Sequence, residues 1–318
     1  MKKKFSVKKI FWHNREALEQ ATPEQIALYR ASRLKCETAI DLCCGIGIDA
    51  IALAKYCKKV YAVDKDSDAL RCAEKNAKCY GIKNIKFINA DCFSLDLKKL
   101  GVEVAFADPS RRAFGKRVKD LNETQPSTIA LVKFIKSFEV KNFCIEVSRE
   151  LRPQDIPFEC EVEYISLNNE LNCASLYFGS IAANKRSAVV LPSQEKVSSN
   201  VLFGKKLETC HAPKTFLYEL DECIVRSGLQ FELIEKLQCE VEIFSDNYLT
   251  SDKLIKSNFF RNTFKALKQT DAGSLVKDLK ALDAKKAVLH GRFVPEIYDA
   301  LAKDINSKLS GQRKLHVL

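Results

Sequence analysis

The sequence predicts an α/β fold: a mostly parallel sheet with an antiparallel edge strand, a short N-terminal helical segment and a smaller C-terminal α/β domain. Three observations carry that reading. From Lys35 to about Pro192, short apolar runs alternate with segments of helical period, the pattern of parallel strands covered by helices on both faces. Residues 39–54, AIDLCCGIGIDAIALA, read as strand, glycine turn and helix. After Leu151 the helices cease, and CEVEYISLN, CASLYFGSI and RSAVVLP follow as strand-like runs that supply edge strands, at least one antiparallel.

Taken in order, EQIALYRASRLK reads as a helix packed beside the sheet, and TAIDLCC as the first strand. A helical pattern covers 48–57, and KKVYAVD is the second strand. The helix expected over 67–80 has Ser67 as its N-cap and Gly81 as its stop. NIKFINAD is the third strand, a short helix falls near 94–100, and VEVAFADP is the fourth strand. A long connection, 110–127, leads into the helix STIALVKFIKSF and the strand NFCIEVS. The Ser- and Lys-rich SQEKVSSN, 193–200, reads as a linker. Beyond it come a helix, strand, turn and helix, with RKLHVL as a closing strand. The expected division is 1–33 as a basic helical segment, 34–195 as the main domain and 205–318 as a basic α/β domain.

At 318 residues the chain has room for two domains, and its 46% hydrophobic and 29% charged content is that of an ordinary globular protein. No apolar run reaches the ~18–20 residues of a membrane span. The basic start, MKKKFSVKKIFWHN, has no apolar stretch behind it, so a cytoplasmic chain is expected. The thirteen cysteines form no C-x-x-C and the four histidines are scattered, which predicts reduced, structural thiols and no metal site. The net charge of +11 is uneven: residues 1–15 hold six Lys/Arg and no acid, and residues 253–318 hold fourteen Lys/Arg against six acids. The middle therefore carries 11 − 6 − 8 = −3. Basic ends suit a polyanion.

Gly45 to Ala50 match the G-x-G-x-x-A pattern of dinucleotide sites. Asp41, Asp64, Asp91 and Asp108 stand at or just beyond four consecutive strand ends, where an open parallel sheet binds its ligand. Asp41 upstream of the turn and Asp49 in the first helical turn would repel a pyrophosphate placed on the helix N-terminus. They suit S-adenosyl-L-methionine, whose ammonium and sulfonium are cationic. In that reading Asp64 accepts both ribose hydroxyls, Asp91 holds the adenine amino group and Cys92 adds a backbone N–H.

The series DLCCGIG, AVDKD, NAD and ADPSRR resembles the motifs of class I S-adenosylmethionine-dependent methyltransferases, with Cys43 in place of the first of three glycines, ahead of Gly45 and Gly47. ALEQATPEQIALYRASRLK, DPSRR, ISLNNELNCASLYFG, YELDECIVRSGL and IFSDNYLTS resemble a bacterial group of these enzymes that carries a C-terminal THUMP-like domain. The catalytic half is more distantly similar to the RNA cap guanine-N2 methyltransferase group. The resemblance implies a Rossmann-like sheet, S-adenosylmethionine as cofactor and N-methylation of a base in RNA, tRNA favoured.

Asp108 and Pro109 match the start of the D/N-P-P-aromatic motif of amino-methylating relatives, while the second proline and the aromatic are missing. Asp108 is expected to orient or deprotonate an exocyclic amine, with Phe114 stacking on the base. Arg111 and Arg112, with Lys116, Arg117 and Lys119, form a basic loop suited to phosphate. Two other readings fit the residues: a methyltransferase for a small molecule or protein, and a non-catalytic RNA-binding protein that retains the pocket.

Overall fold

The computed structural model describes all residues except 1–3, 8, 13, 114, 115, 119, 203–207, 291–293 and 318, and it leaves out the side chains of 112, 113, 116, 117 and 295. Two short helices, α1 (Arg15–Gln20) and α2 (Glu24–Arg33), precede the sheet. The alternating half then runs β1 (Thr38–Asp41), α3 (Ile48–Ala54), β2 (Lys59–Asp64), α4 (Ser67–Cys79), β3 (Ile85–Asn89) and β4 (Val104–Ala107). A two-residue hairpin, β5 (Arg112–Ala113) and β6 (Lys116–Arg117), leads to α5 (Thr128–Ser137) and β7 (Asn142–Val147). The strand-rich stretch contains β8 (Glu161–Leu167), β9 (Glu170–Phe178), β10 (Arg186–Leu191) and β11 (Glu195–Ser199).

β5 and β6 form a separate two-stranded sheet, and the other nine strands form one sheet in the order β11-β10-β8-β9-β7-β4-β1-β2-β3. The run β3-β2-β1-β4-β7 is parallel throughout. Antiparallel pairing enters where β9 is inserted between β7 and β8, and again where β11 closes the edge on β10. The segment 193–200 expected as a linker is therefore mostly the edge strand β11. Its polar composition is the usual protection of an exposed edge.

Alternation along each strand builds two cores. Ile40, Val63, Ala105 and Ile145 face one layer with Leu131 and Ile135 of α5. Ala39, Val60, Ala62 and Phe106 face the other, with Ala27 and Ala31 of α2, Leu53 of α3 and Ala73 of α4. Both faces being covered explains the near-continuous apolar strands. The N-cap of α4 is Asp66 rather than Ser67: its side chain accepts from the backbone N–H groups of Asp68 and Ala69. The helix expected near 94–100 is a single 3-10 turn over Cys92–Ser94.

The remaining elements are β12 (Phe216–Leu220), α6 (Glu222–Ser227), α7 (Gln230–Leu237), β13 (Glu242–Ser245), β14 (Tyr248–Ser251) and β15 (Phe260–Lys265), then α8 (Leu275–Ala281), β16 (Ala284–Leu289), α9 (Pro295–Ser307) and β17 (Arg313–Val317). The chain forms two compact units, Met1–Phe264 and Lys265–Leu318. In the first, a second sheet of order β13-β14-β12-β15 accompanies the large one, and Cys223 and Ile224 of α6 join its core. In the second, the parallel pair β16–β17 packs Ala287, Leu289 and Leu315 against Leu279 of α8 and Ile305 of α9. No helix among the described residues is long and apolar enough to cross a membrane.

Candidate active site

Strand order reverses between β1 and β4, whose connections leave on opposite sides of the sheet. That leaves a crevice beyond their carboxyl ends. A cleft of about 720 Å³ opens there, and its walls include Cys43, Gly45, Asp49, Asp64, Asp91, Cys92, Asp108, Pro109 and Arg111.

The glycine turn is built from the sequence outward. Gly45 and Gly47 have φ of 50° and 87°, the left-handed region that glycine enters at no steric cost. Their surroundings differ. A Cβ on Gly45 would meet no heavy atom within 4 Å, so its backbone faces open cleft. A Cβ on Gly47 would lie 2.7 Å from Ala73 Cβ, so this glycine lets α3 close on α4. Gly47 is thus a packing residue beneath the turn, and it is not among the cleft walls.

Asp64, at the end of β2, accepts from Gly45 N at 2.7 Å with Oδ2 and from Asp66 N at 2.9 Å with Oδ1. Each carboxylate oxygen keeps a second lone pair, the capacity that two ribose hydroxyls require. Asp91 accepts from Phe93 N at 2.9 Å and so sets the turn holding Cys92. The neighbouring Cys92 thiol and burial push the Cys43 thiol well up. The two residues assigned separately from sequence share one wall.

Asp41 sits beneath the turn rather than in the cleft wall. It is fully buried, its Oδ1 accepts from Cys43 N at 3.3 Å, and its Oδ2 has no partner among the described residues. Burial, with Asp49 nearby, pushes its carboxyl well above the usual range. An orphaned buried carboxylate oxygen beside a glycine turn fits a cationic cofactor and opposes a diphosphate.

At the other end, Asp108 follows β4 directly, and Pro109 is buried. Ser110 exchanges backbone hydrogen bonds with Gln125 at 2.8 and 2.9 Å, which pins the connection after the strand. Burial first, then Glu146, push the Asp108 carboxyl up to about 8. Arg111, expected in a basic loop suited to phosphate, lines the cleft but is itself paired with an acid. Its guanidinium turns inward, donating to Glu146 Oε1 at 2.9 Å and to the Val147 carbonyl at 3.3 Å. Phe114 and Lys119 lie outside the described residues, as do the side chains of Arg112, Lys116 and Arg117.

Sequence reasoning missed Arg30, its partner Glu146, and Asn76. Arg30 of α2 is 1% exposed and donates to Glu146 Oε2 at 2.7 Å. Asn76 of α4, fully buried, donates to the carbonyls of Ile46 and Phe11 and accepts from Phe11 N at 2.7 Å. It ties the N-terminal segment to the glycine turn. That segment also reaches the cleft, where Lys4, Glu19, Thr22 and Pro23 line one side. Among the described residues no group of three or more His, Cys, Asp or Glu is placed to hold a metal ion.

Comparison with known proteins agrees with this geometry. A family model described as RNA cap guanine-N2 methyltransferase matches residues 36–149, from just before β1 to just past β7. An uncharacterized S-adenosylmethionine-dependent methyltransferase of Mycobacterium tuberculosis is 28% identical over 320 residues, covering 95% of this chain and 82% of the relative. An uncharacterized RNA methyltransferase of Enterococcus faecalis is 30% identical over 142 residues, 41% of this chain and 31% of the relative. The fold matches a crystal structure from Porphyromonas gingivalis, provisionally described as a methyltransferase, with a TM-score of 0.76 and 17% identity over 95% of this chain and 78% of that one.

Proposed function

We propose that this S-adenosylmethionine-dependent methyltransferase N-methylates a base in RNA, with tRNA the favoured substrate. The reading rests on one observation above others: Asp108 and Pro109 line the same cleft as Gly45 and Asp64, so an acceptor-side carboxylate and a cofactor turn share a single space. The matching family model and the Enterococcus faecalis relative, both named for RNA, support the substrate class.

S-adenosylmethionine supplies an activated methyl group on its sulfonium. Alignment therefore accounts for most of the acceleration, and a carboxylate at the acceptor adds a smaller factor. In this account Asp64 and Asp91 orient the nucleoside half of the cofactor and Asp41 balances its positive end. Gly45 allows close approach, while Cys43 and Cys92 form the wall. Asp108 accepts a hydrogen bond from the target amine and, once ionised, takes its proton. The RNA strand is assigned to the basic ends of the chain, with Arg112 and Arg117 toward phosphate, Phe114 toward the base, and the segment 205–318, read as THUMP-like, toward the backbone.

Mass spectrometry of modified nucleosides from total tRNA and rRNA tests the assignment. A strain lacking this protein is expected to lose one N-methylated nucleoside that the parent contains. Identical nucleoside profiles would overturn the RNA assignment.

A further inference from the structure

Glu146, near the end of β7, is 4% exposed. Its two oxygens go to guanidiniums on different elements: Oε2 accepts from Arg30 at 2.7 Å and Oε1 from Arg111 at 2.9 Å. Arg30 is fixed from the other side by the Phe106 ring, 4.7 Å from its guanidinium carbon. Arg30 is also paired with Asp49 at 3.8 Å, so a second guanidinium, brought in from a loop, completes the charge balance around Glu146. This pairing holds Arg111 rigid at the cleft wall, beside Asp108. The bonds to Glu146 and the Val147 carbonyl use two N–H groups of the Arg111 fork, and the fork carries further donors in its plane.

The geometry points to Glu146 as a positioning residue that fixes Arg111 beside Asp108, so that Arg111 donates to an acceptor atom of the target base while Asp108 faces its amine. This rests on the proposed N-methylation and narrows it. The substrate is a base that presents an amino group and a hydrogen-bond acceptor on one edge, which excludes uracil.

The charged and titratable groups around Asp108 come from six elements: Arg30 of α2, Asp41 of β1, Asp49 of α3, Arg111 of its own loop, Glu146 of β7 and Cys173 of β9. Of these, Glu146 and Asp49 raise the Asp108 carboxyl, and Arg111 and Arg30 lower it. Removing the Glu146 charge leaves Arg111 without its carboxylate and Arg30 with Asp49 at 3.8 Å, so the balance next to Asp108 turns more positive.

The test uses the full chain. Carbon NMR of aspartate-labelled protein, with Asp108→Asn assigning the signal, follows the Asp108 carboxyl without any substrate. Glu146→Gln is expected to lower its midpoint by about one pH unit or more. Arg111→Ala is expected to raise it, and serves if Glu146→Gln does not fold. Arg111→Lys keeps the charge but loses the fork; the midpoint should stay near the wild type while KM for RNA rises about 10-fold with kcat less affected. A midpoint unmoved in both Glu146→Gln and Arg111→Ala, or an unchanged KM in Arg111→Lys, would overturn the assignment. A wild-type chain that transfers no methyl to RNA would remove the function proposed above, and the NMR titrations would still decide whether Glu146 and Arg111 act on Asp108.

Discussion

The backbone N–H of Gly45 donates to Asp64 Oδ2 at 2.7 Å, so the acid that ends β2 holds the turn that follows β1. One carboxylate thereby fixes the approach of two neighbouring parallel strands to the same cleft.

The two glycines of that turn should respond differently to alanine. Gly47→Ala places a Cβ 2.7 Å from Ala73 Cβ and should destabilise the chain by about 2–4 kcal/mol. Gly45→Ala meets no heavy atom within 4 Å and should cost only about 1 kcal/mol, while the new methyl obstructs the cofactor. Thermal melts with calorimetric titration of S-adenosylmethionine separate the two effects. Equal stability losses with equal affinities would contradict the assignment.

Asp41→Asn should strengthen the free protein and weaken the cofactor complex. Burial holds the Asp41 carboxyl well above its usual range, so a neutral isostere removes the penalty of burying an ionisable group. The same change removes the partner of a cation, lowering S-adenosylmethionine affinity about 10- to 100-fold. A variant that melts lower and binds equally well would count against Asp41 as a cofactor residue.

Asp108 makes the reaction pH-dependent. Its carboxyl is pushed up to about 8 by burial and Glu146, against roughly 3.9 in an unfolded chain. The folded state therefore binds this proton more tightly, and its stabilising contribution is present below about pH 4 and fades as pH rises toward about 8. Activity follows the ionised form, so kcat/KM should climb through pH 8, and a bound cation should draw the kcat profile to lower pH. Asp108→Asn should remove the climb along with most of the rate. A flat profile in the wild type would exclude Asp108 as the proton acceptor.

Asn76→Ala leaves Phe11 N–H and the carbonyls of Phe11 and Ile46 without their side-chain partner. A loss of about 2–4 kcal/mol is expected, together with faster proteolysis within the first twenty or so residues. Unchanged digestion kinetics would show that the N-terminal segment is held elsewhere.

The fold was legible because its strands and helices follow their own periods, and Asp64, Asp91 and Asp108 mark strand ends directly. β11 was not, because an edge strand protects itself with the same Ser and Lys that make a linker. Arg30, Asn76 and Glu146 were hidden for another reason. Arg30 and Glu146 are 116 positions apart, and Asn76 and Phe11 are 65 apart, beyond any local spacing rule. The one signal available was a lone arginine on the buried stripe Ile26, Ala27, Arg30, Ala31 of α2. The inward pairing of Arg111 was hidden because nothing in DPSRR discloses a carboxylate on β7 that meets it.

Transfer of labelled methyl from S-adenosylmethionine to total RNA, with nucleoside analysis of the product, tests the central claim most directly. The expected result is label on a base nitrogen with the wild type and at least about 100-fold less with Asp108→Asn. Label on carbon or ribose, no label at all, or equal labelling by the two proteins would contradict it.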